Sequence, residues 1–333
     1  MVVEAWGSLV GQEQAIALLQ GAIAQNRIAP AYLFAGSPGV GRSLAARGFI
    51  ERLFCQDLPP EKQPLIRKRL QQGNHPDLLW VEPTYLHNGN LLSATEAAEK
   101  GLSRKAPPQI RLEQIREIGQ FLGRAALEAP RKVVVLQQAE TMAEAAANGL
   151  LKTLEEPGKA TLILIAPSVE SLLPTLVSRC QRIPFGRLTQ ENLEAVLRQI
   201  GHEEILQSPS ILAIAEGSPG AAIKAFEQLQ AIPAALLAEV IKLPKTPRKA
   251  LELAKEIDQT LDSQAQWWLV DYLQHCYWQQ FLGGKMAQSP LQQLENARKY
   301  LLGYAQPRLV WEVTLLELIQ DRRDVPTAGF YQR

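Results

Sequence analysis

One short segment restricts the possible folds of this chain more than any other. The apolar run "AYLFAG" ends in glycine and leads into "GSPGVGRS", after which "SLAARGFIERLFC" takes up helical periodicity. Strand, glycine-rich turn and helix in that order form the setting of a phosphate-cradling loop of the pattern G-x-x-x-x-G-K-[ST], here running from Gly36 to Ser43. In such a loop, backbone N–H groups hold phosphates, a lysine reaches the β and γ phosphates, and a Ser/Thr hydroxyl ligates Mg²⁺. Gly36, Gly39, Gly41 and Ser43 meet the backbone and hydroxyl requirements, but Arg42 stands where lysine belongs. Arginine keeps the charge in a planar, longer group and does not simply replace a compact ammonium. Weak binding of ATP or ADP and no binding at all both remain open.

The next buried strand decides whether such a loop can hydrolyse. In "RKVVVL", Val133, Val134, Val135 and Leu136 form a continuous apolar run. At its end an active site places an aspartate for Mg²⁺ and commonly a glutamate to orient water. The two positions are Gln137 and Gln138. An amide cannot accept a proton from water and is a poor Mg²⁺ ligand. Glu140 lies two residues further on, where strand alternation gives it no claim to substitute. The chain is therefore expected not to hydrolyse ATP by itself.

A third buried strand, "TLILIA", completes a pattern of parallel-type strands joined by helices, which predicts a three-layer α/β domain. The supporting helices are read over 11–26, in "RLEQIREIGQFLGRA", and from Thr141–Glu144, spaced as a capping box, to "LEEPG". Residues 71–110 read as irregular and polar. Strand signals stop near Phe185. "TQENLEAVLRQIG" is then a helix capped by Thr189, and two short helices hinge at Gly217–Gly220. A long helical region holding Trp267, Trp268, Trp278 and Trp311 follows. These tryptophans suit a core, an interface, or both.

Composition removes several function classes. At 333 residues with net charge +1, the chain has room for two or three domains but is not a strongly basic nucleic-acid binder. The run "IRKRL" is a local basic patch that also fits a solvated helix face. Cys55, Cys180 and Cys276 are too scattered for a disulfide framework or a metal site, and the histidines form no metal-like pair. No apolar run approaches the roughly 18 residues of a membrane span. The N-terminal "MVVEAWGSLVGQEQ" does not read as a signal peptide, so a cytoplasmic location is expected.

Ser178–Arg179–Cys180 follows a proline-containing helix. Its arginine fits either a favourable charge at a helix end or a finger offered to a neighbour's γ-phosphate. Together with "LVGQEQAI", "GSPGVGRS", "GNHPDLLWVEP", "IRLEQIREI", "ANGLLKTLEEPG", "LPTLVSRCQRIPF" and "EGSPGAA", in that order, this motif resembles the AAA+ clamp-loader subunits of bacterial DNA polymerase III, in particular the delta-prime family. The resemblance is strong over 7–220 and rests on position and length beyond that. It implies a RecA-like AAA+ domain over 1–186, a helical lid over 187–232 and an all-α collar over 233–333. By the same resemblance, the partners are gamma/tau-like ATPase subunits and a delta-like subunit in a ring of five. That assembly acts on the sliding clamp and primed DNA, and Arg179 is the finger supplied in trans. Three departures stand out. Only Cys55 remains of a zinc module common in relatives, so zinc is not expected. The lid motif has Gly220 in place of a phosphate-sensing arginine, and only Ser168 can serve as polar sensor after the third strand. An autonomous weak AAA+ ATPase and a self-contained DNA-binding protein are the rival readings.

Overall fold

The computed structural model describes residues 6–7, 9–100, 107–156, 158–284 and 289–323. Residues 1–5 and 8 of the N-terminal stretch read against a signal peptide, Ala106 of the "APPQ" loop signal and Pro157 of "LEEPG" lie outside them. The chain divides into two compact units, Met1–Val196 and Leu197–Arg333.

The strands, in chain order, are β1 (Ala31–Ala35), β2 (Leu78–Val81), β3 (Tyr85–His87), β4 (Asn90–Leu92), β5 (Lys132–Leu136), β6 (Ala160–Ala166) and β7 (Gln181–Pro184). The helices of the first unit are α1 (Glu13–Ala24), α2 (Arg42–Cys55), α3 (Gln63–Gln71), α4 (Ala94–Glu99), α5 (Leu112–Leu122), α6 (Glu144–Glu155) and α7 (Pro174–Val177), and α8 (Gln190–Gln199) crosses the division. Five strands make one sheet in the order β2-β5-β6-β1-β7, and all four pairings are parallel. Each face carries alternate residues of the strands. Tyr32, Phe34, Val133, Val135, Ile163 and Ile165 pack with Leu19, Phe49, Ile50 and Leu53 on one side. Leu33, Val134, Leu136, Leu162 and Leu164 pack with Ile115, Ile118, Leu150 and Leu176 on the other. This is the expected three-layer, RecA-like α/β arrangement, with helices on both faces of a buried parallel sheet.

The sheet is wider than the three strands read from sequence. β2 and β7 form its edges. The segment 71–110, expected to be irregular, also contains the antiparallel β3–β4 pair and helix α4. The capping box expected at Thr141–Glu144 does not form. Thr141 ends a single 3₁₀ turn over Ala139–Thr141, and its hydroxyl donates to the Gln138 carbonyl at 2.8 Å. Helix α6 therefore begins at Glu144 without a side-chain cap. Thr189 does cap α8, accepting from the Asn192 amide at 3.3 Å. The basic run lies on α3, where Ile66 and Leu70 are buried and Arg67 and Arg69 pair with Glu51 and Glu128. That is the solvated-face reading.

In the second unit, α9 (Pro209–Ala215) and α10 (Pro219–Ala231) are the two short helices expected around Gly217–Gly220. The helices α11 (Ala234–Lys242), α12 (Pro247–Thr260), α13 (Ser263–Leu282), α14 (Leu291–Leu302) and α15 (Pro307–Arg323) share one core. Trp311 is fully buried there, its indole donating to Gln266 at 2.9 Å. Trp267 and Trp268 pack against the core half-buried, while Trp278 is exposed and stacks on Phe281. The tryptophans thus divide between core and surface.

Candidate functional site

The loop after β1 sits at the C-terminal end of the parallel sheet, where ligands bind in open α/β folds. Its glycines are required by contacts. A Cβ on Gly36 would lie 2.4 Å from the Phe185 carbonyl oxygen, so only glycine lets the loop pass the end of β7. Gly41 has φ +101°, a left-handed conformation, and a Cβ there would meet Leu9 at 2.5 Å. Buried Gln12 ties the loop down. Its amide nitrogen donates to the carbonyls of Val40 (3.2 Å) and Gly186 (2.8 Å), and its oxygen accepts from the Gly186 amide (3.1 Å). The "VGQ" at the start of the chain therefore holds the loop in shape. The Arg187 guanidinium reaches Ser37 Oγ at 3.4 Å.

Arg42 and Ser43 open α2. Burial lowers the proton affinity of the Arg42 guanidinium, an effect opposed by the nearby Glu140 carboxylate. Burial likewise pushes Glu140 above the usual carboxylate range, against the pull of Arg42. Arg42 Nη1 and Glu140 Oε2 are both shielded from solvent with no hydrogen-bond partner. An orphaned guanidinium nitrogen beside a glycine-rich loop suits an anion. Glu140, set aside on strand alternation, is therefore the carboxylate that faces Arg42 electrostatically. Gln138 has φ +52° and turns the chain just past β5, so alternation does not extend to Glu140.

Gln137 Oε1 accepts from the Trp80 indole at 2.9 Å, and the Arg47 guanidinium lies 4.5 Å from the centre of that ring. Gln138 is exposed. The carboxylate positions of a hydrolysing site are thus one structural amide and one surface amide. Neither amide offers the anionic oxygen that Mg²⁺ favours. Among the described residues, no group of three His, Cys, Asp or Glu is placed to hold a metal. Ser168 lies just past β6, its carbonyl accepting from Ser171 Oγ at 2.7 Å, and its side chain helps hold the Glu170 carboxyl below the usual range. In the second unit, Ser218 caps α10 by accepting from the Ala221 amide at 3.2 Å.

The remaining predicted site residues stand apart from the loop, at the end of α7. Arg179 Nη2 donates to Glu155 Oε1 at 3.0 Å, and Nη1 donates to the Thr175 carbonyl at 3.1 Å. Ser178 Oγ donates to the same carbonyl at 3.0 Å. The Arg179 side chain remains 38% exposed. Cys180 is the inward member of the triplet, and burial pushes its thiol up to about 11.

The motif "GNHPD" has a role that sequence reading did not assign. Asp77 has no solvent exposure, and its carboxylate accepts from the amides of Leu127 (2.8 Å), Glu128 (2.7 Å) and Ala129 (2.8 Å). It anchors the turn that delivers the chain into β5.

A RecA-like parallel sheet with a glycine-rich loop of phosphate-loop spacing at the C-terminal end of its strand β1 defines a protein of the P-loop fold class. A family model described as DNA polymerase III, delta subunit, matches residues 11–189, and one described as cyanobacterial DNA polymerase III delta prime, C-terminal domain, matches residues 191–318. DNA polymerase III subunit delta' of Bacillus subtilis is 34% identical over 186 residues, 55% of this chain and 50% of that protein. The delta' subunit of Pseudomonas aeruginosa is 34% identical over 197 residues, 57% of this chain and 54% of that one. Subunit tau of B. subtilis is 29% identical over 203 residues, 60% of this chain and 32% of that one. The chain spans about half the length of the delta' relatives it matches. It belongs to the delta-prime family of DNA polymerase III subunits.

Proposed function

We propose that this chain is a non-hydrolysing, delta-prime-type subunit of a clamp loader in DNA replication, and that it offers Arg179 to ATP held by a neighbouring gamma/tau-type subunit. The observation that carries the first half is Gln137. It occupies the position of a metal-holding carboxylate, and its oxygen is committed to the Trp80 indole. The second half is supported by Arg179, a partly exposed guanidinium just before the N-terminal end of β7, whereas the loop follows the C-terminal end of the parallel strand β1. A guanidinium placed on a neighbour's γ-phosphate neutralises the charge that builds up during phosphoryl transfer.

In this reading, residues 1–186 form the AAA+ domain, 187–232 the lid and 233–333 the collar. The collar joins the chain to gamma/tau-like ATPases and a delta-like subunit in a five-membered ring that loads the sliding clamp onto primed DNA. The protein's own loop is a retained framework. Gly36, Gly39, Gly41, Arg42 and Ser43 would hold the phosphates of any nucleotide it binds, and the unpartnered Arg42 Nη1 supports such binding. Bound nucleotide would supply only an anion there. The alternative, an autonomous weak ATPase, is separated by one assay. Mg-ATP turnover by the isolated chain is expected to match an Arg42→Ala control, and turnover clearly above that control would favour the alternative.

A further inference from the structure

We propose that Glu155 is a positioning residue for Arg179, holding the guanidinium in the orientation from which it meets a neighbour's phosphate. This inference rests on the finger reading of Arg179. The two residues are 24 positions apart and come from different helices, α6 and α7. Helix α6 is fixed in the core through Leu150 and Leu154. Glu155 therefore projects from a rigid element toward a side chain at the end of a four-residue helix. An arginine side chain carries much rotamer entropy, and a guanidinium held in place beforehand loses less of it when it meets a phosphate.

The geometry is that of a brace. Two of the five guanidinium N–H donors are used, one from Nη2 to Glu155 and one from Nη1 to the Thr175 carbonyl. This fixes the plane of the group and leaves Nε–H and one N–H on each terminal nitrogen for an incoming anion. No other acceptor among the described residues engages them. The second contact is itself stabilised, because Ser178 donates to the same carbonyl.

A purely structural pair would be an odd use of these residues. Glu155 and Glu156 lie at the C-terminal end of α6, where the helix dipole disfavours negative charge. Both members of the pair are more than a third exposed, and such ion pairs contribute little to folding. A contact of so little value to the fold can still set the direction of one side chain.

The test uses the full chain reconstituted with the ATPase subunits of its family, with DNA-stimulated turnover resolved into kcat and KM for Mg-ATP. Wild type is compared with Glu155→Ala, Glu155→Gln, Arg179→Ala and the Arg179→Ala/Glu155→Ala double variant. Loss of the brace in Glu155→Ala is expected to lower kcat about 3- to 10-fold, the scale of one hydrogen bond, with KM within about twofold. Glu155→Gln keeps an acceptor oxygen and is expected to stay within about twofold of wild type. The double variant should match Arg179→Ala, because Glu155 acts only through Arg179. Unchanged thermal unfolding and unchanged assembly on gel filtration belong to the expected result, and a rate lost only through lost assembly would overturn the proposal. Glu155→Ala turnover at or above wild type, with Arg179→Ala impaired, would overturn the role of Glu155 and leave the finger standing. Wild-type turnover by Arg179→Ala would remove the finger and this inference with it.

Discussion

The Trp80 indole donates to the side-chain oxygen of Gln137 at 2.9 Å, joining the edge strand β2 to the end of β5. Arg47 of α2 stacks over the same indole. The position from which a hydrolysing site would hold Mg²⁺ therefore serves as an acceptor linking two strands and the loop helix. Gln137→Ala leaves the indole N–H without its partner and is expected to cost about 1–2 kcal/mol of stability, read as a shifted denaturant midpoint. Turnover by the reconstituted complex should not change. A complex that loses turnover while the variant stays folded would show that Gln137 takes part in the chemistry.

Asp77 ties stability to pH. Burial is the largest single influence on its carboxyl and pushes it up, but the amides of Ala129, Glu128 and Leu127 together with His75 bring it below its ordinary value. A folded value below the unfolded one stabilises the protein above about pH 4, and that contribution is lost as pH falls through the folded value. Asp77→Ala should cost about 2–4 kcal/mol by stranding those N–H groups. Asp77→Asn lacks the titrating charge, so its deficit relative to wild type should shrink as pH drops from 7 toward 3, roughly the range in which carboxylates protonate. Urea midpoints across that range test this, and a constant deficit would contradict it.

Cys180 is expected to be a poor nucleophile. Burial raises its thiol to about 11, so little thiolate exists near neutral pH. Alkylation by iodoacetamide, followed peptide by peptide in a mass spectrometer, should be slow in the folded chain at pH 8 and accelerate as pH approaches 11. In the unfolded chain it should be fast. Rapid modification of the folded protein at pH 8 would show that the triplet opens readily.

The features legible in sequence were those with strong local signals. β1, β5 and β6 are continuous apolar runs because parallel strands covered on both faces leave no polar side, and the loop glycines follow from contacts that admit no side chain. β2 and β7 were not legible. β2 is an apolar run of only four residues set among polar loop signals, and β7 has one buried residue, Ile183, among exposed neighbours that read as loop. The approach of Glu140 to Arg42 was hidden because it depends on the left-handed turn at Gln138. Such a conformation is uncommon for a residue other than glycine and carries no clear sequence mark. The Arg179–Glu155 pair was hidden for another reason: it depends on two helices that only tertiary packing brings together. Asp77 stands within the "GNHPD" motif, but its partners lie 50 to 52 residues away.

The central claim is that this chain contributes an arginine to another subunit's ATP instead of turning over its own. The most direct measurement is DNA-stimulated ATPase of the reconstituted complex carrying Arg179→Ala, with assembly verified by gel filtration. A donated arginine is typically worth about 10³–10⁵ in rate at the site it serves. The account predicts an intact assembly whose turnover falls by at least the share of that one site. An intact assembly turning over ATP at the wild-type rate would contradict it.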